Sequence, residues 1–141
     1  MQLAFVPHTI ARLGSPRLVG LAVDWTTFDT TLPSGERMRY QVLRVAVPKK
    51  GRALPLVRLA YDRDRLPAER SQNQLEQDAL STVVEALPSC VRPVVLADRG
   101  FCRAGFLTWL EYRGPDHVVR LSKALASPSR TGSGGSWARR G

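Results

Sequence analysis

A chain of 141 residues with 43% hydrophobic side chains has room for one domain with a real core, hardly for two, and is too apolar for a disordered protein. No apolar run approaches the roughly 20 residues that span a bilayer, and the opening MQLAFVPHTIARLG lacks the basic start of a secretory signal, so the sequence reads as cytoplasmic with no membrane partner. The net charge of +9 points to an anionic partner, nucleic acid first, but Arg12 and Arg17 before Asp24 and Arg120, Lys123, Arg130, Arg139 and Arg140 after Asp116 hold most of that excess.

In chain order, Leu18 to Trp25 (LVGLAVDW) is a continuous apolar run closed by an acid, the pattern of a strand buried on both faces. Pro33, Ser34 and Gly35 mark a turn. Arg37 to Val42 then alternates, with Met38, Tyr40 and Val42 on one face and Arg37, Arg39 and Gln41 on the other. A second turn, PKKGR, leads to LPLVRLAY, so three strands should form an antiparallel meander. Ser71 and Gln74 form an S-x-x-Q capping box that opens a helix, followed at helical spacing by Leu75, Ala79, Leu80, Val83, Val84 and Leu87 up to Pro88. Pro93 to Asp98 is a second buried-type strand ending in an acid, Arg103 to Tyr112 a short helix, and His117 to Leu121 a fifth strand.

The expected order is therefore β-β-β-α-β-α-β, an α/β domain over residues 18–122 with a mixed sheet. Residues 1–17 read as an N-terminal remnant, and residues 123–141, rich in Gly and Ser, as a flexible basic tail without order. Cys90 and Cys102 flank a strand of about seven residues, hence roughly 20 Å, too far for the about 7 Å that a disulfide tolerates. Both read as free thiols.

Both buried-type strands end in aspartate, Asp24 and Asp98. Strands joined through a helical crossover are commonly parallel neighbours about 4.8 Å apart. In open α/β sheets, function gathers at the carboxyl ends of the strands. Two carboxylates about 4 Å apart repel by roughly 4 kcal/mol at an effective dielectric near 20. Such a pair shares a proton or holds a cation, and hard oxygen ligands suit magnesium. The plainer reading is that each acid caps a strand or opens a turn.

The flanking residues add to this. LVGLAVDWTT (Leu18 to Thr27) resembles the first catalytic strand of DDE-type transposases of the insertion sequence four family, and VVLADRGF (Val94 to Phe101) resembles their second catalytic motif. GRALPL (Gly51 to Leu56), SQNQLE (Ser71 to Glu76) and HVVRL (His117 to Leu121) resemble the same family in the same order. The resemblance implies a ribonuclease H-like fold in which Asp24 and Asp98 are the first two acids of a triad that binds magnesium or manganese. It also implies DNA as partner, both transposon end and target, a reaction of strand cleavage followed by strand transfer, and a homodimer in the intact family enzymes. The family's third acid, a glutamate on a downstream helix, has no counterpart, since no acid follows Asp116 and Glu111 stands on the wrong helix. The expectation is thus a truncated transposase with little or no strand transfer, set against a non-enzymatic DNA-binding regulator and a stand-alone ribonuclease H-type nuclease.

Several residues carry two readings. Arg99 contacts a DNA phosphate or orients Asp98, or simply fixes the turn. Lys49, Lys50 and Arg52 form a basic hairpin tip that holds a DNA backbone or is a solvated turn. Trp25 and Phe101 stack on bases or pack in the core, and Gly100 supplies a backbone geometry that other residues resist. His8, His117, Tyr40 and Tyr61 read as structural.

Overall fold

The computed structural model describes residues 5–62 and 71–120. The chain runs α1 (Phe5–Arg12), β1 (Leu18–Thr31), β2 (Arg37–Lys49), β3 (Arg52–Asp62), α2 (Gln72–Glu85), β4 (Arg92–Ala97), a 3-10 turn (Arg99–Phe101), α3 (Ala104–Tyr112) and β5 (Asp116–Val119). The five strands form one open mixed sheet in the order β3-β2-β1-β4-β5, with β1 antiparallel to β2, β2 antiparallel to β3, and β1, β4 and β5 parallel. Among the described residues, no helix is long and apolar enough to cross a membrane. The expected tail at 123–141 lies outside the described residues.

The alternation of side chains along each strand divides the sheet into two unlike faces. Val19, Leu21 and Val23 of β1, Leu43, Val45 and Val47 of β2, Val57 of β3 and Val95 of β4 all point one way and are buried. They share a core with Val6 and Ile10 of α1, Ala79, Leu80 and Val83 of α2, and Phe106 and Leu110 of α3. These three helices therefore lie on one face. On the other, Gly20, Ala22 and Asp24 of β1 stand beside Val94 and Leu96 of β4, and Val118 of β5 is 62% exposed. Gly20 packs closely there: an added Cβ would lie 3.0 Å from Leu96 Cδ1, which would have to shift to admit it.

The expected element order lacks the leading helix. Pro7 and His8 interrupt the apolar stretch in sequence, but Pro7 falls in the first turn of α1, where a missing N–H costs nothing. Val6 and Ile10, one helical turn apart, are fully buried. β1 also continues past Trp25 to Thr31, so β1 and β2 form a long hairpin ribbon with Thr31 opposite Arg37. In β2 the apolar set changes face between Val42 and Leu43: Met38, Tyr40 and Val42 lie on the side away from the helices, whereas Leu43, Val45 and Val47 face them. A β-bulge lets both Leu56 and Val57 reach the core, since Val45 pairs with Val57 and Ala46 with Pro55.

The capping box of α2 is present. Ser71 Oγ accepts from Gln74 N at 3.3 Å, and Gln74 Oε1 accepts from Ser71 N at 2.9 Å. The β2–β3 turn has two residues, Lys50 and Gly51, with φ of 43° and 77°, the left-handed pair that matches strand twist in a tight hairpin. At the end of α3, Gly114 packs against its own helix, and an added Cβ would lie 2.6 Å from Leu110 Cα and 3.0 Å from its carbonyl oxygen. Backbone cannot yield as a side chain does, so Gly114→Ala should lower stability by about 1–2 kcal/mol in a urea melt. A wild-type midpoint would show that the helix end moves freely. Across the start of β4 and β5, Arg92 Nε donates to Asp116 Oδ2 at 2.5 Å. That hydrogen bond holds the Asp116 carboxyl below its usual range.

Candidate functional site

Asp24 lies on β1, and Asp98 directly follows the last residue of β4, the parallel neighbour of β1. The β1–β4 register pairs Gly20 with Val94, Ala22 with Leu96 and Val23 with Ala97. Continued by one residue, it sets Asp98 beside Asp24, and Asp98 keeps extended backbone (φ −83°, ψ −178°). Paired residues of parallel strands share a face, which for Asp24 is the side of the sheet without helices. Asp24 lies midway along β1, not at its end as the sequence suggested, because β1 runs on to Thr31 against β2, whereas Asp98 directly follows the last residue of β4. The Asp24 side chain is 48% accessible, and Asp98 is exposed.

Each carboxylate is half committed. Asp24 Oδ2 accepts from Arg44 Nη2 at 3.1 Å and from Thr26 Oγ1 at 3.3 Å. Asp98 Oδ1 accepts from the backbone N–H of Gly100 at 2.8 Å and caps the 3-10 turn. Among the described residues, Asp24 Oδ1 and Asp98 Oδ2 have no hydrogen-bond partner. Two hard oxygens on one open surface suit a divalent ion such as magnesium, which binds through one or two carboxylates and keeps several waters. Among the described residues there is no group of three or more His, Cys, Asp or Glu side chains placed for a metal.

Behind the aspartates, on the helical face, lies a feature that sequence reasoning missed. Glu76 of α2 is fully buried. Its Oε1 accepts from Trp25 Nε1 at 2.5 Å, and its Oε2 pairs with Arg103 Nη2. Arg103 also donates from Nε to Asn73 Oδ1 and from Nη1 to the carbonyl of Gly100, both at 2.8 Å. Trp25 follows Asp24, and Gly100 lies two residues beyond Asp98. One buried carboxylate thus ties together the segments that carry both exposed ones. The available signal was phase: Glu76 precedes Ala79, Leu80 and Val83 by three, four and seven residues, which puts it on the buried stripe of α2.

The remaining candidates separate. Phe101, only 2% exposed, packs against Phe106 and presents no face to a base, while Trp25 is half-buried against Tyr61 and its Nε1 is taken by Glu76. Gly100 has no left-handed φ; its lack of a side chain matters because a Cβ would sit 3.1 Å from Asp98 Oδ1. Arg99 is exposed and stands at the same sheet end as the aspartates. Lys49, Lys50 and Arg52 do not join them. Asp24 pairs with Arg44, and Lys49 lies five residues further along β2, about 17 Å away toward the opposite end. Cys90 and Cys102 are both free.

Fold and site together define an α/β protein with an open mixed sheet and two aspartates just beyond the point where the parallel pairing of β1 with β4 stops. Compared with protein-family models and with curated proteins, the chain matches none.

Proposed function

We propose that this chain derives from the catalytic domain of a DDE-type transposase, with a ribonuclease H-like sheet in which Asp24 and Asp98 hold a magnesium or manganese ion against DNA. The observation that supports this reading is the parallel β1–β4 register, which runs to Val23 and Ala97, the residues just before Asp24 and Asp98. The strand order β3-β2-β1-β4-β5 is compatible with a ribonuclease H-like sheet, and the resemblance of LVGLAVDWTT and VVLADRGF supplies the family. A bound divalent ion would activate an attacking oxygen and neutralise charge at phosphorus. The chain's own residues do the rest: Asp24 and Asp98 offer one free oxygen each, Arg44 fixes the other Asp24 oxygen, and the Gly100 amide fixes the other Asp98 oxygen. Two carboxylates alone bind magnesium weakly, so a weak affinity is expected for this pair.

Calorimetric titration of magnesium or manganese into the protein and into Asp98→Asn tests the site. A saturable heat that disappears in the variant is expected, and equal heats for the two would remove the metal-site reading. A second reading, a DNA-binding regulator that does no chemistry, draws support from the basic hairpin tip at residues 49–52, which stands at the end away from the aspartates. Strand cleavage that Asp24→Asn abolishes would exclude it.

A further inference from the structure

We propose that the helix-free face next to Asp24 is a single-stranded DNA cleft, in which Arg44 and Arg58 take a backbone phosphate and Phe28 takes an unstacked base. The proposal rests on the reading above only in taking DNA as the partner. It assigns residues that the motifs did not single out.

The cleft is built from three consecutive rows across β1, β2 and β3. Asp24 pairs with Arg44 and Arg44 with Arg58; Thr26 pairs with Val42 and Val42 with Ala60; Phe28 pairs with Tyr40 and Tyr40 with Asp62. Thr26, Phe28, Val42, Arg44, Arg58 and Ala60 line a cavity of about 390 Å³. Its floor is apolar, from Val42 and Ala60. One end carries two guanidiniums in adjacent register, and the other an aromatic ring that is 54% exposed.

Charge decides the occupant. Arg44 is held by Asp24 through Nη2, which leaves its other N–H groups available. Arg58 is exposed and makes no ion pair or side-chain hydrogen bond among the described residues. The row Asp24–Arg44–Arg58 has two guanidiniums and one carboxylate and is net positive on its Arg58 side, whereas the Phe28 row holds Asp62, so a phosphate fits the arginine end alone, where guanidinium forks match its oxygens. An exposed phenyl ring at the far end of an apolar floor offers a stacking platform, and every base has a face to stack. Duplex DNA keeps its bases stacked on each other, so only a single strand can use both ends of the cleft. The same strand would lie beside Asp24 and Asp98, so the cleft holds the segment flanking the phosphate that those residues would address.

Fluorescence anisotropy of a labelled twelve-residue oligothymidylate, with the full chain in EDTA, tests this without any metal. Arg58→Ala and Phe28→Ala should each weaken binding about tenfold, and Arg58→Ala should also reduce the salt slope by about 0.7. Arg113→Ala, which removes the same charge at the other end of the molecule, should change binding less than twofold. Phe28→Trp should keep affinity and show quenched fluorescence on binding. Both cleft side chains are exposed, so these variants should melt as wild type does. Wild-type affinity in Arg58→Ala and Phe28→Ala, or an equal loss in Arg113→Ala, would overturn the cleft. Loss of metal heat without loss of these effects would overturn the metal reading and leave the cleft standing.

Discussion

Glu76→Ala is expected to lower folding stability by about 3–5 kcal/mol, the range for breaking a buried ion pair from one side. Glu76 has no solvent exposure, and two donors depend on it: Trp25 Nε1 and the Arg103 guanidinium. The Arg103 side chain is 32% accessible and can be partly rehydrated after the loss, which favours the lower half of that range. Arg103→Ala should cost at least as much, because it leaves a carboxylate with no accessible surface and a single neutral donor. Glu76→Gln keeps the shape and one acceptor, and should cost about half as much. A Glu76→Leu, Arg103→Met double variant should recover most of the loss, since a well-packed apolar pair often equals a buried ionic one. Urea melts of the four variants read these values, and a Glu76→Ala protein within 1 kcal/mol of wild type would show the network to be idle.

The double variant separates stability from placement. If it folds as tightly as wild type but loses divalent-ion binding at Asp24 and Asp98, the Glu76 network serves to hold the middle of β1 and the segment after β4 in position. That outcome is expected, because Trp25 and Gly100 are the residues it grips, and each lies within two positions of an aspartate. Parallel pairing of β1 with β4 stops at Val23 and Ala97, so the ladder alone does not fix the two aspartates just beyond it.

The central sheet was legible in part. β1 and β4 were legible as strands from their apolar runs, but not as strands buried on both faces: β1 alternates buried with half-buried residues because the face of Gly20, Ala22 and Asp24 carries no helix. α2 joins β3 to β4, so the β1–β4 pairing is a non-local contact. Ser71 and Gln74 announced the start of α2 by a local hydrogen-bond exchange that depends on nothing distant. The parts that were not legible depend on tertiary context. The outer half of β1, TTFDTT, has strand propensity but no buried face, and only pairing with β2 holds it. The change of face between Val42 and Leu43 occurs where β2 passes beyond the cover of the helices, and an alternating pattern does not say which face is core. Glu76 reads as a surface acid by type, and only its phase with Ala79, Leu80 and Val83 gives it away. Arg58 looks like a solvent-side strand residue, which it is; its interest comes from Arg44 beside it, a non-local pairing.

Arg44 joins the proposed metal site and the proposed cleft, and its removal should move them in opposite directions. In the folded protein its guanidinium occupies Asp24 Oδ2 and stands close to where a cation would sit. A unit charge and a divalent ion about 6 Å apart repel by about 1.4 kcal/mol at the dielectric of water and by about 5.5 kcal/mol at an effective value of 20. The Asp24 side chain is 48% accessible, so the water-like figure is the apt one. Arg44→Ala should therefore tighten magnesium or manganese binding about tenfold, with Arg44→Lys close to wild type because the charge remains. Oligonucleotide binding in EDTA should instead weaken about tenfold, as one of two phosphate donors is lost. A purely structural role for Arg44 would lower both affinities together through misfolding. Opposite signs in one folded variant are what a cation site abutting an anion site requires, and unchanged or weaker ion binding in Arg44→Ala would mean that Asp24 is not a ligand.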